Sequence, residues 1–107
     1  MIGADIFMIE KIKSEHIDFL FEAMLSLESV EEYYKFFDDL CTISEIGEMS
    51  KRLQAAKMLK EGIVYNEISE ITGLSTTTIT RVNRCLKYGS DGYNTVLERL
   101  QDKSDEK

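Results

Sequence analysis

The strongest constraint on the fold of this chain is a pair of short helical patterns within residues 65–86 that meet at Gly73. Apolar residues recur at helical spacing on both sides of Gly73, and glycine most easily adopts the left-handed backbone that ends a helix. Ser75 follows as an N-cap, because its hydroxyl can accept a hydrogen bond from a free amide of the next turn. The pattern predicts a helix-turn-helix over about residues 65–88.

This spacing also separates a buried face from an exposed one. The apolar side chains expected to be buried are Ile68, Leu74, Ile79 and Val82. The outward face then carries hydroxyl and guanidinium groups, which suit phosphates and base edges of DNA. The predicted DNA-binding residues are Ser75, Thr76, Thr77, Thr80, Arg81, Arg84 and Lys87. The alternative is an ordinary helical hairpin with a solvated face, but the many threonines argue against it because threonine lowers helix propensity.

Basic residues are concentrated in the same part of the chain. The 107 residues have a formal net charge of −7. Residues 1–50 carry −9 and residues 90–107 carry −2, whereas residues 51–89 carry +4. Because phosphate binding depends on the local basic surface, this distribution favours double-stranded DNA as a partner of the helix-turn-helix.

The composition argues against several other classes of protein. The chain has single-domain length, no apolar run long enough to span a membrane, and no signal-peptide pattern at its start, so we expect a cytoplasmic protein with no membrane partner. Two distant cysteines and one histidine are too few for a structural zinc site, and we expect no metal. No nucleophile motif or phosphate-binding glycine loop is present, so we predict no catalytic residues and no enzyme activity.

Capping patterns and apolar stripes divide the chain into six helices with no strand candidate. Ser29 with Glu32, and Thr42 with Glu45, have the spacing of capping boxes. Asn94 is predicted to cap a short last helix. The predicted organisation is an N-terminal extension over residues 1–14, expected to be flexible, one helical DNA-binding domain over residues 15–101, and a charged tail over residues 102–107.

The second predicted helix is apolar or aromatic around more than half of its circumference. Its apolar residues are Val30, Tyr33, Tyr34, Phe36, Phe37 and Leu40. A helix at the surface of a monomer rarely needs such a wide apolar face, whereas a helix between two subunits does. A central core helix of a monomer is the alternative. In so short a chain we favour an interleaved homodimer.

With these features in place, the chain resembles the tryptophan repressor superfamily, and within it the tryptophan-repressor-like proteins of the YerC/YecD type. The resemblance covers about residues 15–100. The residues that carry it are Thr42, Glu45, Arg52, Leu59, Gly62, Thr72, Gly73, Ser75, Thr78 to Arg84, Leu86, Gly89 and Asp91 to Tyr93. It implies an all-α, six-helix, intertwined homodimer that presents two helix-turn-helix heads to an operator.

The resemblance also implies a candidate effector pocket. In the repressor itself, tryptophan lies between two arginines and near a threonine, at positions that are Arg52, Arg81 and Thr42 here. This chain has Val82 and Cys85 where the repressor has a glycine and a serine. A larger side chain in a ring-sized space and a lost polar partner both disfavour the ligand. We therefore expect no cofactor, weak or no binding of L-tryptophan, and at most an unidentified small-molecule effector.

Two simpler interpretations of these arginines stay open. Arg52 has the spacing for a surface ion pair with Glu48, four residues away, and Arg81 could contact a phosphate alone. For the whole chain, the leading hypothesis is a sequence-specific transcriptional regulator, a repressor, that acts as a homodimer on a two-fold symmetric operator. The alternative is a protein-interaction module that uses the acidic N-terminal helices without specific DNA readout.

Overall fold

The computed structural model describes residues 9–10 and 12–105, with side chains as far as Ser104. Six α-helices of eight residues or more dominate this part of the chain, and none of its residues lies in a strand. The helices are α1 (Glu15–Leu25), α2 (Val30–Leu40), α3 (Ile43–Lys60), α4 (Tyr65–Thr72), α5 (Thr76–Tyr88) and α6 (Gly92–Asp105). The predicted all-α class is confirmed. No helix in the described ranges is long and apolar enough to cross a membrane.

The chain divides into two compact units, residues 1–47 and 48–107. The predicted domain limits therefore remain predictions, and most of the N-terminal extension, residues 1–8 and 11, lies outside the described residues. Helix α6 continues to Asp105, so the first part of the predicted charged tail is helical.

The start of α2 in the first unit is a variant of the predicted capping box. The Ser29 hydroxyl accepts a hydrogen bond from the Glu32 amide at 3.2 Å, as predicted. The Glu32 carboxylate, however, accepts from the Glu28 amide at 2.7 Å, one residue before the cap. Two free amides near the helix start are still satisfied, so the local effect of the box is preserved.

Aromatic rings of α2 pack against one another, and one of its tyrosines also bonds to α1. Phe37 stacks on Tyr33, with ring centroids 6.3 Å apart, and meets Phe36 edge-on at 5.8 Å. The Tyr33 hydroxyl donates to the Met24 carbonyl at 3.0 Å. Even so, neither α1 nor α2 contains a buried residue. Large apolar side chains that a single chain leaves mostly exposed are Phe19, Leu25, Val30 and Tyr34.

The second unit is built on a continuous apolar core. Its buried cluster joins Ala55 and Met58 of α3 to Ile68, Leu74 and Ile79. Val82 is also buried, so all four side chains predicted for the inner face of the helix-turn-helix lie inside. Three partly buried side chains extend the cluster: Leu59, Ile63 and Tyr65.

Gly62 ends α3 in a Schellman motif. Its φ angle of 83° lies in the left-handed region, where glycine has no steric penalty. The Gly62 amide donates to the Leu59 carbonyl, and the Ile63 amide donates to the Met58 carbonyl, each at 3.1 Å. Ile63 also packs on the core that contains Met58, which fixes the direction of the chain into α4.

The prediction that Asn94 caps a short last helix is wrong. Helix α6 has 14 residues and begins at Gly92, so Asn94 lies inside its first turn. The Asn94 side chain instead donates to the Leu86 carbonyl of α5 at 3.0 Å and accepts from the Lys60 ammonium of α3 at 3.0 Å. Capping tendency is a local signal, and these partners are distant in sequence.

Candidate nucleic-acid interface

The turn between α4 and α5 is held by side-chain hydroxyls as well as by glycine. Gly73 has a φ angle of 78°, as predicted, and its amide donates to the Ser69 carbonyl at 2.8 Å. The Ser69 hydroxyl donates to the Leu74 carbonyl at 2.7 Å. The buried Thr72 hydroxyl donates to the Ile68 carbonyl at 2.7 Å and accepts from the Leu74 amide at 3.1 Å. These bonds satisfy the buried polar groups of the turn.

Ser75 caps α5 as predicted. Its hydroxyl accepts from the Thr78 amide and donates to the Thr78 hydroxyl, both at 3.1 Å. The serine side chain is therefore committed to the helix end. The Ser75 hydroxyl would therefore not bind an anion itself. An anion would bind the remaining free amides at the start of α5, at the positive end of the helix dipole.

The outward face of α5 carries the predicted DNA-binding residues. All six of the predicted side chains within α5 are exposed: Thr76, Thr77, Thr80, Arg81, Arg84 and Lys87. The helix contains no acidic residue, so its charge is entirely positive. The Thr80 hydroxyl donates to the Thr76 carbonyl at 2.8 Å, which leaves its oxygen free to accept.

The cationic side chains on this face have no anionic partner in the part of the chain that the structure describes. Other basic residues do: Lys51 lies 3.7 Å from Glu48, and Lys60 lies 3.8 Å from Glu98. By contrast, Arg81, Arg84 and Lys87 form no ion pair with any described residue. Phosphates could therefore bind them without displacing an internal partner.

Tyr88 is a residue of this face that the sequence analysis missed. It is the last residue of α5 and is 79% exposed. A helix places it four residues beyond Arg84 and therefore on the same side. That spacing was the signal available in the sequence. The phenol adds a flat ring and a hydroxyl at the end of the basic face.

The structure places the candidate pocket residues on different elements. Thr42, in the first unit, forms the predicted capping box: its hydroxyl accepts from the Glu45 amide at 3.1 Å, and its amide donates to the Glu45 carboxylate at 2.8 Å. The bond from the backbone of Thr42, with help from its hydroxyl, lowers the pKa of Glu45. Thr42 is thus engaged at the start of α3.

The other four pocket candidates lie in the second unit. Arg52 of α3 is half-buried, and Glu48 pairs with Lys51, so the alternative ion pair of Arg52 is not formed. On α5, Val82 is 2% exposed, whereas Arg81 and Cys85 are exposed. The structure therefore separates these neighbours between the core and the surface, and a shared pocket stays a prediction.

A cavity of about 650 Å³ lies elsewhere, between the end of α3 and α6. It is lined by Lys57, Lys60, Leu97, Glu98 and Leu100, among others, and by none of the candidate pocket residues. Among the described residues, no group of three or more potential ligands could hold a metal ion.

Comparison with known proteins agrees with this geometry. The family described as Trp repressor protein matches residues 15–101. A Bacillus subtilis (strain 168) relative, described as uncharacterized protein YerC, is 50% identical over 94 residues, which are 88% of this chain and 90% of the relative.

Two solved structures extend the similarity to the fold. A TrpR-like protein from Eubacterium eligens ATCC 27750 is 52% identical, with a TM-score of 0.82, over 86% of this chain and 95% of that one. A Staphylococcus aureus protein described as a candidate Trp repressor is 50% identical, also with a TM-score of 0.82, over 87% of this chain and 93% of that one. The chain therefore belongs to the Trp repressor family, as a tryptophan-repressor-like protein of the YerC type.

Proposed function

We propose that this chain is a transcriptional repressor that binds a two-fold symmetric operator as a homodimer. The observation that carries the proposal is the outward face of α5. Its arginines and lysine have no internal anionic partner in the described residues, its threonines are exposed, and the helix is anchored by Ile79 and Val82 in the core. A rigid helix with such a face suits the major groove of DNA.

The side chains on this face divide into two roles. Arg81, Arg84 and Lys87 contact phosphates or guanine edges, and the amides near Ser75 bind a further phosphate. Thr76, Thr77 and Thr80 lie at base edges. Because the Thr80 proton is donated to the Thr76 carbonyl, the Thr80 oxygen is best suited to accept from an amino group of adenine or cytosine.

The apolar surface of the first unit supports the dimer. Leu25 and Tyr34 are 84% and 76% exposed in one chain, and neither α1 nor α2 has a buried residue. Monomeric proteins rarely leave a large continuous apolar area in water. A second copy that covers α1 and α2 would remove this area from solvent, and a symmetric dimer would match a palindromic operator.

The proposed regulator does not need L-tryptophan. Val82 is buried with Ile79 on the inner side of α5, so the head is held in shape by packing. Arg81 is exposed and free to contact DNA. A smaller effector that acts on the head is compatible with this arrangement.

The test is selection of bound duplexes from a random pool, followed by titrations at several salt concentrations. Arg84→Ala should weaken binding to every duplex and reduce the salt slope by about one, because a phosphate contact is lost. Thr80→Ala should instead change the preference at one base pair, with a loss of about 1–3 kcal/mol for the preferred base.

Lys35→Ala is the matched control, since it removes one positive charge from α2, where Lys35 pairs with Glu31 at 3.6 Å. It should bind every duplex as the unaltered protein does. If the pool yields no enriched sequence and no duplex is shifted at low salt, DNA readout is wrong. The protein-interaction alternative, with the acidic N-terminal helices as the binding surface, would then be preferred.

A further inference from the structure

The Asn94 side chain connects the ends of three helices in the second unit. It accepts from the ammonium of Lys60, the last residue of α3, at 3.0 Å. Its amide nitrogen donates to the Leu86 carbonyl in the last turn of α5 at 3.0 Å, and to the Asp91 carboxylate at 2.9 Å. Both of its N–H groups and its oxygen therefore have partners.

The Leu86 carbonyl is one of the groups that a helix cannot satisfy by itself, because the last four carbonyls have no amide one turn ahead. The preceding carbonyl, of Cys85, accepts from the Gly89 amide at 3.0 Å. The backbone passes so close there that a Cβ atom on Gly89 would lie 2.6 Å from that oxygen. Asn94 supplies the next bond and so ties the end of α5 to α6.

Lys60 and Asp91 together determine which way round the Asn94 amide lies, one through its oxygen and the other through its nitrogen. With the amide oxygen toward the ammonium, the amide nitrogen faces the Leu86 carbonyl. The flipped amide would place N–H groups against the ammonium and an oxygen against the carbonyl. Both contacts would be repulsive. The Lys60 side chain is 35% exposed, and its ammonium also lies 3.8 Å from the Glu98 carboxylate.

We propose that Asn94, oriented by Lys60, is a positioning residue for the DNA-reading helix α5, a role that rests on the proposed DNA-binding function. The Leu86 carbonyl that Asn94 binds lies next to Lys87 and within one turn of Arg84. Base contacts require hydrogen-bond geometry, whereas attraction to phosphate falls off slowly with distance. Loss of the bond from Asn94 therefore lowers specific binding more than general binding to DNA.

The experiment compares affinities for a duplex enriched from a random pool and for an unrelated duplex of equal length. Asn94→Asp has the same size and keeps an acceptor for Lys60, but it has no N–H for the Leu86 carbonyl or for the Asp91 carboxylate, and its negative charge repels both oxygens. It should lower the ratio of the two affinities by at least a factor of about five to ten, the size expected for loss of the bond to Leu86 alone, and leave the salt slope unchanged.

Lys60→Met should lower the same ratio by a smaller factor, because it removes one of the two groups that orient the amide and leaves the bond to Leu86 available. The control is Lys57→Met, which removes the same charge one turn earlier in α3 but keeps the hydrogen bond from Lys60 to Asn94. It should leave the ratio unchanged.

Other results would contradict the inference. An unchanged ratio in folded Asn94→Asp and in Lys60→Met would overturn the inference. So would an equal loss for both duplexes with a smaller salt slope, because Asn94 would then contact phosphate itself. If Asn94→Asp does not fold, the ratio for Lys60→Met decides. If the unaltered protein binds no duplex, the initial selection will reveal this before any variant is made. That result would overturn the proposed function as well as this inference.

Discussion

Val82 and Cys85 lie on adjacent turns of α5, yet one side chain is buried and the other is exposed. Val82 is 2% exposed and part of the buried side of α5, whereas Cys85 is exposed. The tryptophan repressor, which this chain resembles, has glycine and serine at these positions. In this chain, Val82 therefore stands where the glycine leaves space for the indole ring. Cys85 stands where the serine hydroxyl binds the ammonium group of tryptophan. We propose that packing by the β-branched Val82 side chain gives the helix-turn-helix its shape here.

We predict from these two residues that L-tryptophan at physiological concentration binds weakly or not at all. A valine in a ring-sized space costs roughly 1–3 kcal/mol through overpacking, before the lost polar partner is counted. Calorimetric titration with L-tryptophan, with and without the selected operator, measures this directly. Saturable micromolar binding that tightens the DNA complex would contradict the prediction.

The variant Val82→Gly with Cys85→Ser provides the converse experiment. It restores the space and the hydroxyl together, so it should gain some affinity for indole compounds if Arg52 and Arg81 flank a closed pocket. The single variant Cys85→Ser is the control, since it adds the hydroxyl without the space. No gain in the double variant would assign both arginines to surface or phosphate contacts.

The helix-turn-helix was predictable because its signals are local. The Ser75 cap, the left-handed Gly73 and the buried positions of Ile68 and Ile79 depend on residues within a few turns. The role of Asn94 was not predictable in this way, because its partner Lys60 lies 34 positions away. Tyr88 was missed although its signal is local, since it lies four residues beyond Arg84 on the same helix.

The capping box at the start of α3 leads to a prediction about how the stability of the fold depends on pH. The bonds from Thr42 lower the pKa of Glu45 below its ordinary value in the folded chain. A carboxylate with a lowered pKa stabilises the fold above the pKa of the unfolded chain. That stabilisation is lost as the pH falls through the folded pKa. Stability to urea should therefore decrease more steeply on acidification in the unaltered protein than in Glu45→Gln, which cannot ionise.

Glu22→Gln is the matched control for this effect. It removes one carboxylate from α1, where no capping bond involves that side chain, so its pH dependence should resemble that of the unaltered protein. Urea unfolding followed by circular dichroism from about pH 3 to pH 7 covers the ordinary range of glutamate. Identical pH profiles for Glu45→Gln and the unaltered protein would show that the ionised Glu45 carboxylate does not stabilise the fold.

The whole molecule shows an imbalance between its two units. The second unit buries Ile68 and Ile79 completely, whereas α1 and α2 of the first unit bury no residue. A folded chain of this size is stabilised by a small buried surface. Leaving the apolar side chains of α1 and α2 in water would therefore cost a large part of its stability. The wide apolar face of α2 in the sequence is therefore explained better by a second copy than by the single chain.

We predict that the protein is a stable dimer at micromolar concentration. Sedimentation equilibrium should give twice the chain mass of 12.3 kDa. Phe37→Ala should destabilise the protein by roughly 3–5 kcal/mol and weaken the dimer, because the ring contacts Tyr33 and Phe36 and would lose further contacts to the partner. Ile71→Ala is the control: Ile71 is 60% exposed on α4, so the dimer should persist with little loss of stability. A monomer with full helical signal would mean that α1 and α2 remain exposed in solution, and an operator would then be bound by single heads.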